Sequence, residues 1–238
     1  RKYPLMLDYM RCMLEGKSLR ACANEVGICL KTSFEWRHKI LAAIRALEGG
    51  ISFSGIVEAD ELLMQYSEKG RKFKNKEEYR KAKNKKHPKV AILVVTDREG
   101  NLLFKQVGEK KVKNEQLREE LKNRLSENNL ICIKPKKEFR KGIKGLQSKK
   151  VIVNKRQIKR GIYSVKIVEN KISDFKTWLS RFHGVATKYL QSYLMWFVIM
   201  NKYLKELIDP DIGRLLNLSS HDRWAWDKYR EIVSQRYD

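Results

Sequence analysis

Apolar side chains recur at helical spacing from the start of the chain, where Leu5, Leu7, Met10, Met13 and Leu14 share a face and Gly16 ends the segment. A second helix, capped by Ser18, carries Leu19, Ala21, Cys22 and Val26 and stops at Gly27. A third runs from about Leu30 through Phe34, Trp36, Ile40, Leu41 and Ile44. Ala23 stands four positions before Gly27, a pattern expected of a helix-turn-helix, whose helices approach closely at a small residue and whose turn needs a glycine. The third helix of such a motif enters the major groove, which nominates Lys31, Thr32, Ser33, Glu35, Arg37 and His38 as readers, with Lys39 and Arg45 adding charge.

From Gly55 the period changes. Residues 56–60 alternate like a strand, and residues 90–95 form a continuous β-branched run, expected of a strand buried on both faces. A turn at residues 97–101 returns the chain as a hairpin partner over 102–107. Helix 114–125, strand 130–133, helix 138–146, strand 151–153 and helical residues 170–204 follow. This order predicts an α/β ribonuclease-H-like domain preceded by three helices. The expected division is 1–50 for the helix-turn-helix, 51–208 for the α/β domain and 209–238 for a helical tail. Residues 69–89 insert between the first two strands, rich in Lys and Arg and nearly free of apolar residues, so they are expected to form either a mobile solvated loop or an arm touching phosphates through Lys72, Lys74 and Lys85.

Composition directs the search for a partner. The 238 residues carry 52 Lys and Arg against 28 Asp and Glu, a net charge of +24, which favours a polyanion such as double-stranded DNA. No apolar run is long enough to span a bilayer and no signal peptide is recognisable, so an intracellular, DNA-associated protein with no membrane contact is expected. Cys12, Cys22, Cys29 and Cys132 lack zinc-ligand spacing and read as core thiols. Trp178, Phe182, Tyr189, Tyr193, Trp196 and Phe197 recur at core spacing, leaving Lys176, Arg181, Lys188 and Lys202 as phosphate contacts. In the tail, Trp224, Trp226, Tyr229 and Ile232 offer an apolar face for a second copy or a protein partner, or for the tail's own domain.

Three blocks carry a resemblance: Glu25-Val26-Gly27-Ile28 with Trp36-Arg37-His38-Lys39-Ile40, then Val57-Glu58-Ala59-Asp60-Glu61, then Phe182-His183-Gly184-Val185-Ala186-Thr187-Lys188-Tyr189-Leu190. Together they resemble the bacterial insertion-sequence DDE transposases of the group numbered fifteen ninety-five, related to Merlin elements. The resemblance implies a helix-turn-helix that binds terminal inverted repeats and a domain that cuts and joins DNA with three carboxylates and two Mg²⁺ or Mn²⁺ ions. It places the first acid at Asp60 and the third at Glu169, followed by Lys176; the second falls on position 134, which is Lys. A lysine there would neutralise Asp60 and Glu169 and occupy a cation's space. Glu138 and Asp97 are the possible substitutes for the second acid. The family's usual zinc ribbon ahead of the helix-turn-helix is not found, which suggests a truncated or repurposed protein.

The expected function is a transposase-derived, sequence-specific DNA-binding protein with lost catalysis and no resident cofactor. The alternatives are an active DDE transposase and a structural subunit of a larger nucleoprotein complex.

Overall fold

Three helices open the chain: α1 (Tyr3–Leu14), α2 (Leu19–Val26) and α3 (Leu30–Ile44). The computed structural model describes residues 3–153, 159–203 and 230–231, so nearly all of the Trp-bearing tail lies outside the described residues. Ser18 caps α2 by accepting from the Ala21 backbone N–H, and Gly27 closes it in the left-handed conformation at φ 69°. Ala23, buried on α2, lets α3 come close, which makes a helix-turn-helix of the pair.

A 3-10 turn, Arg45–Gly50, leads into β1 (Ile56–Met64). The chain continues through α4 (Lys76–Asn84), β2 (Val90–Asp97), β3 (Leu102–Glu109), α5 (Asn114–Lys122), β4 (Leu130–Ile133), α6 (Lys137–Ile143) and β5 (Lys149–Ile152). A small hairpin, β6 (Lys159–Arg160) and β7 (Tyr163–Ser164), precedes α7 (Lys166–Ser180) and α8 (Thr187–Tyr203). The main sheet has the order β3-β2-β1-β4-β5, antiparallel across β3-β2-β1 and parallel across β1-β4-β5. This is the ribonuclease-H-like arrangement.

Burial on both sides explains the apolar run in β2. Ala91, Leu93 and Val95 face Leu117 and Leu121 of α5 and Phe139 and Ile143 of α6. Val90, Ile92 and Val94 face the opposite core, where Phe175 and Trp178 of α7 meet Tyr193, Trp196 and Phe197 of α8. That second core does not stop near residue 50: it also takes in Tyr9, Met10, Ile40, Leu41 and Ile44 from the N-terminal helices. The aromatic positions of α7 and α8 are thus core, as their spacing predicts.

Several expectations need correction. The basic insertion is not a structureless loop, because α4 forms within it, capped by Asn75, with Glu77 and Glu78 in its first turn and Lys81 and Lys83 in its last. Arg71 pairs with Glu68 at 2.8 Å and Glu78 at 3.2 Å, and Phe73 packs edge-on to Tyr79. α7 starts at Lys166 rather than near 170, and a turn with positive φ at His183 and Gly184 separates it from α8. Three of the proposed groove readers on α3 point inward: Ser33 donates to the Leu19 carbonyl, Arg37 is fully buried, and His38 lies against Phe34, Tyr189 and Tyr193. A side chain spent on joining α3 to α1, α2 or α8 is turned away from the outer face of α3.

Burial pushes the His38 imidazole from 6.5 down to about 3, and the charges of Arg37 and Lys188 act in the same direction. Between those values the unfolded chain binds a proton that the folded chain refuses, so stability falls as the pH drops below 6.5. From pH 6.5 to 4.5 the expected loss from this residue is about 2 to 3 kcal/mol, at about 1.4 kcal/mol per unit. Thermal unfolding should show that His38→Phe flattens this part of the profile; an unchanged acid slope would contradict the assignment.

Candidate functional site

The parallel pairing of β1 with β4 decides which residues meet. Ala59 lies opposite Ile133 at the end of the shared ladder, so the next residue on each strand, Asp60 and Lys134, emerge side by side. β1 itself continues to Met64, which places Asp60 within the strand and not at its tip. Side chains alternate along β1, so Glu58, Asp60 and Leu62 share the face that α7 covers.

Glu58 locks α7 in place. One carboxylate oxygen accepts from the Ser164 hydroxyl at 2.8 Å, and the other from the backbone N–H groups of Ile167 at 2.8 Å and Val168 at 3.1 Å. A buried carboxylate on the free N–H groups of a helix's first turn satisfies both its own charge and theirs. Glu169 is the next residue of that turn, and it is thereby held over Asp60.

The Lys134 Nζ donates to Asp60 at 2.6 Å and lies 2.5 Å from Glu169. Lys136 reaches the other Asp60 oxygen at 2.8 Å and Glu61 at 2.9 Å. Two ammonium groups therefore face three carboxylates, and both oxygens of Asp60 are engaged by lysine. Burial raises the Asp60 carboxyl, but the hydrogen bonds from Lys134 and Lys136 outweigh it and hold the group below its ordinary 3.8. Burial likewise lowers Lys134, and its bonds to Asp60 and Glu169 more than reverse this.

Neither possible substitute joins the cluster. Asp97 pairs across the sheet with Val57 and is consumed by the β2–β3 turn, accepting from Ser54 N–H, Asn101 N–H and the Asn101 amide. Glu138 bonds Lys111 at 3.0 Å. Among the described residues no three His, Cys, Asp or Glu side chains converge on a point where a metal ion would sit. The donor set does not fit a divalent ion, since a lysine already bridges the two acids that would share it.

The basic candidates divide by exposure. Lys31, Lys72, Lys74, Lys85, Lys176 and Arg181 are exposed, whereas Thr32, Lys39 and Lys188 are half-buried. Thr32 bonds the Cys29 thiol at the start of α3, and Lys188 lies over the Tyr189 ring. Sequence reasoning missed the roles of Lys136 and Glu58. The charge at 136 directly after β4 was a usable signal, but the capping by Glu58 depends on α7 arriving from more than a hundred residues away.

The family of ISXO2-like transposase domains matches residues 52–199. A solved structure described as a pre-cleavage Mos1 transpososome aligns over 93% of this chain and 76% of that chain, at 10% identity and a TM-score of 0.38. No curated protein matches the sequence.

Removing Lys134 leaves an acid that is 4% exposed with one cation instead of two. Lys134→Met is expected to cost about 1 to 3 kcal/mol in urea unfolding at pH 7. Asp60→Asn added to it should return part of that loss, so the double-mutant cycle should show coupling; additive effects would count against the bridge. Because Asp60 titrates below 3.8 in the fold, its contribution is present above that value and disappears on further acidification.

Proposed function

Because the chain belongs to the ISXO2-like transposase family, we propose that it is a transposase-derived protein that grips double-stranded DNA without cutting it. The observation that carries this reading is the Lys134 ammonium seated between Asp60 and Glu169. Strand cleavage by a carboxylate site needs acids that are free to hold divalent ions, which stabilise the attacking and leaving oxygens. Here the same acids are committed to lysines that the fold itself supplies.

The DNA-binding half of the reading rests on charge and its placement. The net charge of +24 favours a polyanion, and Lys31, at the exposed start of α3, stands where a helix-turn-helix meets base edges and phosphates. Thr32 follows it. Lys72, Lys74 and Lys85 on the insertion, Lys176 on α7 and Arg181 just after it are assigned to the phosphate backbone. The helix-turn-helix, residues 1–50, serves sequence recognition, the α/β part, 51–208, serves as a scaffold, and residues 209–238 are assigned to a second copy or a protein partner.

If the six exposed cations each neutralise one phosphate, log K for a duplex should fall against log salt with a slope of about −5. Lys31→Ala should reduce that slope by about one. Incubation with Mg²⁺ or Mn²⁺ should give neither nicked duplex nor joined strands, and Mn²⁺ titration should give no binding heat at the Asp60 site. Cleavage that disappears in Asp60→Ala would overturn the reading in favour of an active transposase. In contrast, Lys134→Asp combined with Lys136→Ser should gain Mn²⁺ affinity by calorimetry, since it removes both cations and adds an acid.

A further inference from the structure

Residues 139–168 hold ten Lys and Arg and no Asp or Glu, and α6 lies at the start of this stretch. At about 100° per residue, Lys137, Arg140, Lys141 and Lys144 fall within a stripe about 100° wide on that helix. All four are exposed, whereas Phe139, Gly142 and Ile143 on the opposite side are buried. Two neighbours widen the stripe. Arg118 of α5 donates to the Lys141 carbonyl at 3.4 Å, and Lys150 of the edge strand β5 shares the sheet face of Ile152, which packs in the same core as α6.

Cations on other helices are interleaved with acids: Lys81 pairs with Glu77 on α4 at 2.7 Å, and Arg124 with Glu120 of α5 at 3.8 Å. The α6 stripe has no such neutralisation. Glu138, its nearest acid in the chain, is held by Lys111 at 3.0 Å, and among the described residues none of the four α6 cations makes an ion pair. Glu115 and Glu119 of α5 lie about 160° around that helix from Leu117, the residue that meets Gly142 of α6. Four like charges within two helical turns repel one another, so a polyanion lying along them is favoured.

The duplex that reaches Lys31 does not pass this stripe. α6 covers one face of the sheet, and the helix-turn-helix lies beyond the other, where α3 packs on α8 and α8 on β3. We propose that α6, with Arg118 and Lys150, is a second nucleic-acid surface, which holds the backbone of a second duplex DNA segment while the helix-turn-helix holds the first. The stripe runs about 10 Å along the helix axis, the length of about three base pairs. Its contacts are to phosphates, so it takes duplex of any sequence. This inference rests on the DNA-binding reading above and adds a second segment to it.

A duplex fixed to beads would be loaded with the full chain, washed, and offered a second, fluorescent duplex of unrelated sequence. The chain is expected to retain the second duplex on the beads. A variant carrying Lys137→Gln, Arg140→Gln, Lys141→Gln and Lys144→Gln is expected to bind a single duplex within about twofold of the original by fluorescence anisotropy, yet to retain the second about tenfold less well or worse, since four phosphate contacts are gone. Gln is a good helix former and the four positions are exposed, so thermal unfolding of the variant should be unchanged. Bridging by two copies, each holding one duplex on its helix-turn-helix, would survive the four changes. Equal retention by the variant, or no retention by the original chain although the first duplex binds, overturns the proposal. An equal loss of first and second duplex in the variant does so too, because it reports one shared footprint. Failure of the first duplex to bind at all is a different result, and it sinks the DNA-binding reading together with this one.

Discussion

A strand buried on both faces cannot carry an unpaired acid, yet β1 places two, Glu58 and Asp60, on its core-facing side. Glu58 meets the free N–H groups at the start of α7, and Asp60 meets two lysines that follow β4. These two pairings tie the sheet to α7 and to the β4–α6 turn. The position of Glu169, the charge at the site and the incompatibility with a divalent ion all follow from them.

The same economy of burial joins the N-terminal helices to the α/β part. α3 exposes Leu30 and Lys31 most fully, at its start, while Arg37, His38, Ile40, Leu41 and Ile44 are buried against α8 and its neighbours. A helix-turn-helix mounted in this way holds its exposed end at a set angle to the sheet, so DNA lying on Lys31 would also pass near the insertion and the α7–α8 turn. The insertion is itself tied to that turn through Lys69 and through the bond of Ser67 N–H to the Thr187 hydroxyl at 2.9 Å.

Much of this was legible in the residues. Local periodicity placed α1, α2, α3 and the central strands, because helical and strand patterns arise from neighbours that must bury the same face. The Lys at position 134 was also readable, since the transposase resemblance places the second acid there. α4 escaped notice because its stability comes from capping and local ion pairs and not from an apolar stripe, and none of its residues is buried. The groove assignments of Ser33, Arg37 and His38 failed for a related reason: polar residue type suggests exposure, and only packing against α1 and α2 for Ser33, and against α8 and its neighbours for Arg37 and His38, turns them inward.

The chain by itself determined the order of elements, the basic character and the chemical kind of each candidate residue, because these depend on composition and near neighbours. Only the tertiary structure decided which charges meet. Lys136 reaches Asp60 across 76 positions, Glu58 caps a helix more than 100 positions later, and Arg37 lies under rings from the α7–α8 turn and α8. Contacts of that separation follow from strand register and the docking of helices, which no local pattern of residues records.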